Sequence, residues 1–203
     1  MAASTVSSFH FKKFATAGYA CQADLRSQAL EKGMPETAPF HLIGTADGRK
    51  YMYGDALNNA LAGSQYSVWA VAGGAAQHAG CTALPDVEEM FGYVTEVLGS
   101  DKFGLPRVPE NNQPNYIPID CVTALWPALQ PIVKRFCPNS SDWPILYSLA
   151  IQEIIYMGKD TVDPCLALKI VMESAIAMSK IDRPLGRESA ADASLTYSVG
   201  ADD

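Results

Sequence analysis

Acidic residues are missing from the first 23 positions, basic residues are scarce, and no hydrophobic run approaches the thickness of a bilayer. Fifteen Lys and Arg stand against 22 Asp and Glu, for a net charge of -7. The densest basic groups are Lys12 with Lys13 and Lys134 with Arg135. Sequence-independent grip on nucleic acid comes from cations that displace condensed counterions, and attraction to anionic membranes has the same origin. Both partners are therefore excluded. A spanning helix needs roughly 20 apolar residues, and Gln65, Tyr66, Ser67 and Gln77 interrupt the most apolar central stretch.

Signature motifs are lacking too. No G-x-G-x-x-G, G-x-S-x-G or H-E-x-x-H occurs, which removes dinucleotide, hydrolase-elbow and zincin readings. GTADGRKY has glycines near a phosphate-loop spacing, but it is one residue short, Arg49 takes the lysine position and no Ser or Thr follows. His78 and Cys81 are the only neighbouring His–Cys pair; zinc wants about three or four ligands, and no others stand at a metal spacing. No metal and no cofactor are expected. The five cysteines, Cys21, Cys81, Cys121, Cys137 and Cys165, are odd in number and scattered, unlike a secreted disulfide framework. They read as reduced and mostly buried, which predicts a cytoplasmic protein. A Cys nucleophile would need a nearby base and a thiolate-favouring environment, neither of which the sequence displays.

What is present describes a folded chain. Over 203 residues, 48% are apolar and 18% charged, enough to bury one core. The expected organisation is a single helical domain over 1–183 with a hairpin insertion, and a loose tail over 184–203 with little to bury. The Ser- and Ala-rich start resembles an organellar transit peptide in composition. Helical spacing of Phe11, Phe14, Gly18, Cys21, Leu25 and Ala29 runs through it, however, and predicts a structural first helix over about 7–32, stopped by Gly33.

The predicted fold is mainly α, about six helices in an irregular bundle with a small β-hairpin near 39–54. Asp47-Gly48 suits a two-residue reversal, which would pair Ile43 with Met52 and Leu42 with Tyr53. A helix from Ala56 to Ala79, rich in Gly and Ala, is predicted to be central. Pro85 is placed in the first turn of a helix over Val87 to Leu98, followed by a Pro- and Asn-rich loop, 100–118, suited to a lid. Pro127 and Pro131 predict a kinked or split helix, and Ser141 or Asp142 is expected to cap the next, which runs to Met157. Within it, Glu153 either reaches a solvent strip or is buried and perturbed. Asp163-Pro164 opens the last helix, on which Lys169, Glu173 and Lys180 read as the solvated face.

Two functional hypotheses follow. The first is a soluble protein that self-associates as a homodimer, or binds a partner, through the hairpin residues Ile43, Tyr51, Met52 and Tyr53. The second is a small-molecule binding protein or enzyme with a cavity between hairpin and central helix, drawing on Asp55, Asn58, Asn59, Tyr66, Trp69 and His78. Asp55 follows the second strand and precedes helical periodicity, so a helix cap is its simpler role. An inward Asn needs partners, which a ligand or a neighbouring loop would supply.

Overall fold

The computed structural model describes residues 8–46, 48–113 and 117–182; the expected tail lies outside them. Six helices of ten residues or more and one hairpin make up the fold: α1 (Ser8–Glu31), β1 (His41–Gly44), β2 (Lys50–Tyr53), a single-turn α2 (Asp55–Asn58), α3 (Val68–His78), α4 (Val87–Glu96), α5 (Pro118–Phe136), α6 (Trp143–Gly158) and α7 (Pro164–Lys180). No helix among the described residues is long and apolar enough to cross a membrane.

Local signals set most of the helix ends. Gly33, at φ +69°, lets the chain turn back so that the Met34 N–H donates to Ala29 O at 2.9 Å, a stop that Cβ-bearing residues resist. Asp163 caps α7, its Oδ1 accepting from the Leu166 N–H at 2.9 Å. Asp86 caps α4, accepting from Glu88 N–H at 2.8 Å, so the helix begins after it rather than at Pro85. Before α6 the cap is Asn139, which accepts from Ser141 N–H; neither Ser141 nor Asp142 caps the helix with its side chain. Helix α5 is continuous through Pro127 and Pro131. Both prolines are exposed, so the carbonyls they displace meet water instead of an apolar neighbour.

The central helix is α7, not α3. Every residue from Ile170 to Ile181 is buried, because small side chains in ESAIAMS allow neighbours on all sides. The tightest neighbour is α1: a Cβ on Gly18 would fall onto the carbonyl oxygen of Ala175 and within 2.8 Å of its Cα. Helix α1 also satisfies the end of α7. Gln22, fully buried, donates through Nε2 to Ser179 O at 2.9 Å and Ile181 O at 2.7 Å, and Arg26 pairs with Asp182 at 2.9 Å and with Glu36 at 3.2 Å. Carbonyls that a helix C-terminus leaves without partners are thus closed off. Trp126 meets Tyr19, Trp143 and Tyr147 with ring centroids 5.0–6.1 Å apart.

Glu173 and Lys180, expected to face solvent, are each 1% exposed. Lys169 remains partly exposed. Glu173 is paid for by Arg107, whose Nε donates to Oε1 at 3.0 Å and whose backbone N–H reaches Oε2. Arg107 Nη2 lies 3.0 Å from the same Oε1 without a hydrogen bond of its own, while Nη1 extends the pair to Glu89 at 2.8 Å. Along α6 Glu153 is exposed, the solvent-strip alternative.

The hairpin is present with a shifted register. His41 pairs with Tyr53, Leu42 with Met52, Ile43 with Tyr51 and Gly44 with Lys50. Thr45 N–H donates to Arg49 O at 3.0 Å, Gly48 N–H to Thr45 O at 3.0 Å, and Gly48 takes φ +79°. This is a three-residue reversal with the glycine in the left-handed region, one residue longer than the two-residue loop expected. Shifting by one residue exchanges faces. Both sides of β2 are covered: Tyr51 is 2% exposed, with its ring against Phe103, and Met52 is fully buried. Tyr51 also bridges to Ile181 on the side away from β1. Tyr51 and Met52 thus belong to this chain's own core and are withdrawn as partner contacts.

Cys81, just after α3, and Cys165, in the first turn of α7, form a disulfide with Cα atoms 5.1 Å apart. The fully reduced reading fails for this pair, and with it the premise for a reducing compartment. An odd count of five accommodates one disulfide and leaves Cys21, Cys121 and Cys137 outside it.

Candidate functional site

The long helix expected over 56–79 is broken, and the break builds a cleft. After the one-turn α2, Asn59–Gly63 forms a π turn and Ser64–Ser67 interrupts the helix. Ser67 restarts it as the cap of α3, its Oγ accepting from Ala70 N–H and donating to Ser64 O at 2.7 Å. Wide π turns arise where a helix carries an extra residue, and they are frequent at functional sites. In this one, Asn59 folds over Gly63: a Cβ at position 63 would collide with the Asn59 side-chain oxygen.

An open cleft of about 640 Å³ lies between this broken segment and α4. Asp55, Asn58 and Asn59 line one wall; Val87, Glu88 and Phe91 line the other. Ala56, Ala62 and Gly63 keep the first wall low. Asp55 is not the helix cap. Gly54 holds that position, without a side chain to offer, and the Asp55 carboxylate has no partner among the described residues. The Glu88 carboxylate likewise has no partner among the described residues, whereas the adjacent Glu89 turns to Arg107.

Behind Asn58 stands Lys180. Its Nζ donates to Asn58 Oδ1 at 2.9 Å and lies 4.4 Å from the centroid of the Tyr53 ring and 5.7 Å from that of Phe91. Ring faces attract a cation, yet no carboxylate pairs with this one among the described residues. Burial pulls its pKa from 10.5 down to about 8, since a low-dielectric setting penalises the charged form. Tyr53 is raised above its ordinary value, chiefly by burial, with its hydroxyl 3.4 Å from Thr95 Oγ1 as a smaller opposing influence. An ammonium has donors and no acceptor, so the amide oxygen of Asn58 must face Lys180 and its Nδ2 must turn away.

The depressed pKa fixes a sign. Between about pH 8 and 10.5 the unfolded chain holds a proton at position 180 that the folded chain has lost, so stability rises with pH across that window. The burial cost is fully present below about pH 8. Lys180→Met is expected to stabilise the protein at pH 7, and wild type should gain on the variant by on the order of 2 kcal/mol between pH 7 and pH 10. Urea unfolding of both at the two pH values measures the difference; parallel behaviour would mean that Lys180 is not desolvated.

The other expected ligand residues are not brought here. Tyr66 is 60% exposed in the turn before α3. Trp69 packs partly buried against the core. His78 sits exposed on the last turn of α3, its Nδ1 3.0 Å from Gly74 O. Cys81 is bonded to Cys165, so His78 and Cys81 make no chelating pair. Among the described residues no group of three or more His, Cys, Asp or Glu is placed to hold a metal ion. Burial pushes the Cys21 thiol up to about 12, the opposite of what a thiolate nucleophile needs.

The described part of loop 100–118 contributes no lining residue to the cleft. It is pinned elsewhere. Phe103 is buried, Arg107 holds Glu173, Tyr93 Oη donates to Leu105 O at 3.0 Å, and Gln113 Nε2 donates to Pro106 O and Val108 O. Sequence reasoning missed Lys180, Glu88 and Phe91. The available signal was a lysine inside AIAMSKI, where apolar residues on both sides argue for an enclosed helix.

Comparison with known protein families, with curated sequences and with solved structures finds no match to this chain.

Proposed function

We propose that this protein binds a small polar molecule in the cleft between the α2–π-turn segment and α4. The observation that carries this reading is the gathering of Asp55, Asn58 and Asn59 on one wall, backed by a buried lysine that holds one of them in a single orientation. Few polar anchors among apolar lining is the usual composition of such sites. A buried ammonium without a carboxylate partner is costly to stability, and perturbed groups of that kind concentrate where a ligand or a reaction uses them.

A second reading rests on β1. Its outer edge has no strand partner among the described residues, and Leu42 and Ile43 are 48% and 42% exposed. Such an edge is a template for pairing with a second copy.

One experiment addresses both. A thermal-shift screen of polar metabolites is expected to yield a stabiliser that raises the wild-type Tm by several degrees at about 100 times its Kd, with the shift abolished in Asn58→Ala. No stabiliser, or one indifferent to Asn58, refutes the cleft. Sedimentation of the same samples examines the edge: a dimer that Ile43→Lys dissociates supports it, and a monomer at every concentration rejects it.

A further inference from the structure

Charge in and behind the cleft is arranged by depth. Asp55 and Glu88 are exposed, project from opposite walls and have no partner among the described residues. Asn58 is half-buried, and behind it Lys180 is almost wholly enclosed. A molecule entering therefore meets negative charge first and positive charge last. Because Lys180 takes the amide oxygen of Asn58 at 2.9 Å, the amide nitrogen is the group left over, and it has no partner among the described residues. Asn58 thus turns its amide donors, rather than its oxygen, toward whatever lies against it. The ammonium at its back polarises that amide in the direction that strengthens donation. Apart from these groups the lining is Asn59, Gly63, Val87, Phe91 and two alanines.

We propose that the cleft takes a small zwitterion of the amino-acid type, its ammonium between Asp55 and Glu88, its carboxylate or carbonyl against Asn58 Nδ2, and a short apolar side chain against Val87 and Phe91. Lys180 is a positioning residue: it orients Asn58 and supplies field, and the ligand touches Asn58 rather than the lysine. The proposal rests on the cleft being a ligand site, and it adds the ligand's class.

A matched trio separates the two contacts: L-valine, isobutylamine, which lacks the carboxylate, and 3-methylbutanoate, which lacks the amine. With the full chain in isothermal titration, valine is expected to bind about tenfold or more tighter than either of the others, each half supplying a charge-assisted contact. Lys180→Met should bring valine down to the level of isobutylamine while leaving isobutylamine within about twofold, a selectivity that general loosening of the fold would not produce. Glu88→Gln should weaken both amines and spare 3-methylbutanoate. If 3-methylbutanoate matches valine, or none of the three binds, the zwitterion assignment is overturned. An Asn58-dependent stabiliser of another class from the metabolite screen would then leave the cleft as a ligand site with a different occupant, whereas a screen without any stabiliser removes the site itself.

Discussion

Gly18→Ala is expected to cost about 3 kcal/mol or more, lowering Tm by on the order of 10 °C, although alanine is the better helix former. The added methyl has nowhere to go. It would overlap the backbone carbonyl of Ala175, and a backbone in the middle of the most buried helix cannot swing aside as a long side chain can. Relief requires α1 and α7 to separate, which loosens the Gln22 bonds that finish α7 and thins the packing along the pair. Gly92→Ala is the matching control. Gly92 lies in the body of α4, exposed, with nothing within 4 Å of its would-be Cβ, so the same substitution there should gain about 1 kcal/mol of helix propensity. Chemical denaturation of both variants tests the contrast. A neutral Gly18→Ala would show that α1 and α7 do not approach as described.

Arg107→Ala is expected to cost roughly 3 kcal/mol or more. Glu173, 1% exposed, would keep only the backbone N–H of residue 107 as a partner among the described residues. Removing one member of a buried ion pair strands the other, and that residual charge accounts for most of the loss. The double change Arg107→Met with Glu173→Leu should recover the larger part, because no charge then remains enclosed. Denaturant midpoints of the single and double variants decide; a double variant as damaged as the sum of its parts would locate the loss in loop packing, around Phe103 and Gln113, instead of in the charge.

Features written within a few neighbouring residues are legible in the sequence. The Gly33 stop, the Asp163 cap and the presence of a hairpin needed only local backbone chemistry, and the cluster Asp55, Asn58 and Asn59 was visible as polar residues crowded into an apolar run. Features set by contact at a distance were not. Asp47-Gly48 fits more than one loop length, and Tyr51 and Met52, read as a contact surface, lie in the core because distant parts of this chain cover both sides of β2. The same limit hid the back of the cleft: the apolar flanks of Lys180 could hint at an enclosed helix, but not at Asn58, 122 positions away. Gly and Ala content pointed to α3 as the centre; what decides centrality is whether small residues are spread around all sides, as they are in α7.

The bond between Cys81 and Cys165, 84 positions apart, turns the segment carrying α4, α5 and α6 into a closed covalent ring. The first turn of α7 is leashed to the end of α3 even when nothing packs between them. Closing so long a span restricts the unfolded chain by on the order of 4 kcal/mol, the size of effect argued above for Gly18 or Arg107. A backbone cut anywhere between the two cysteines would therefore leave a single connected molecule, with both walls of the cleft, α2 and α4, still tethered to the helix that carries Lys180.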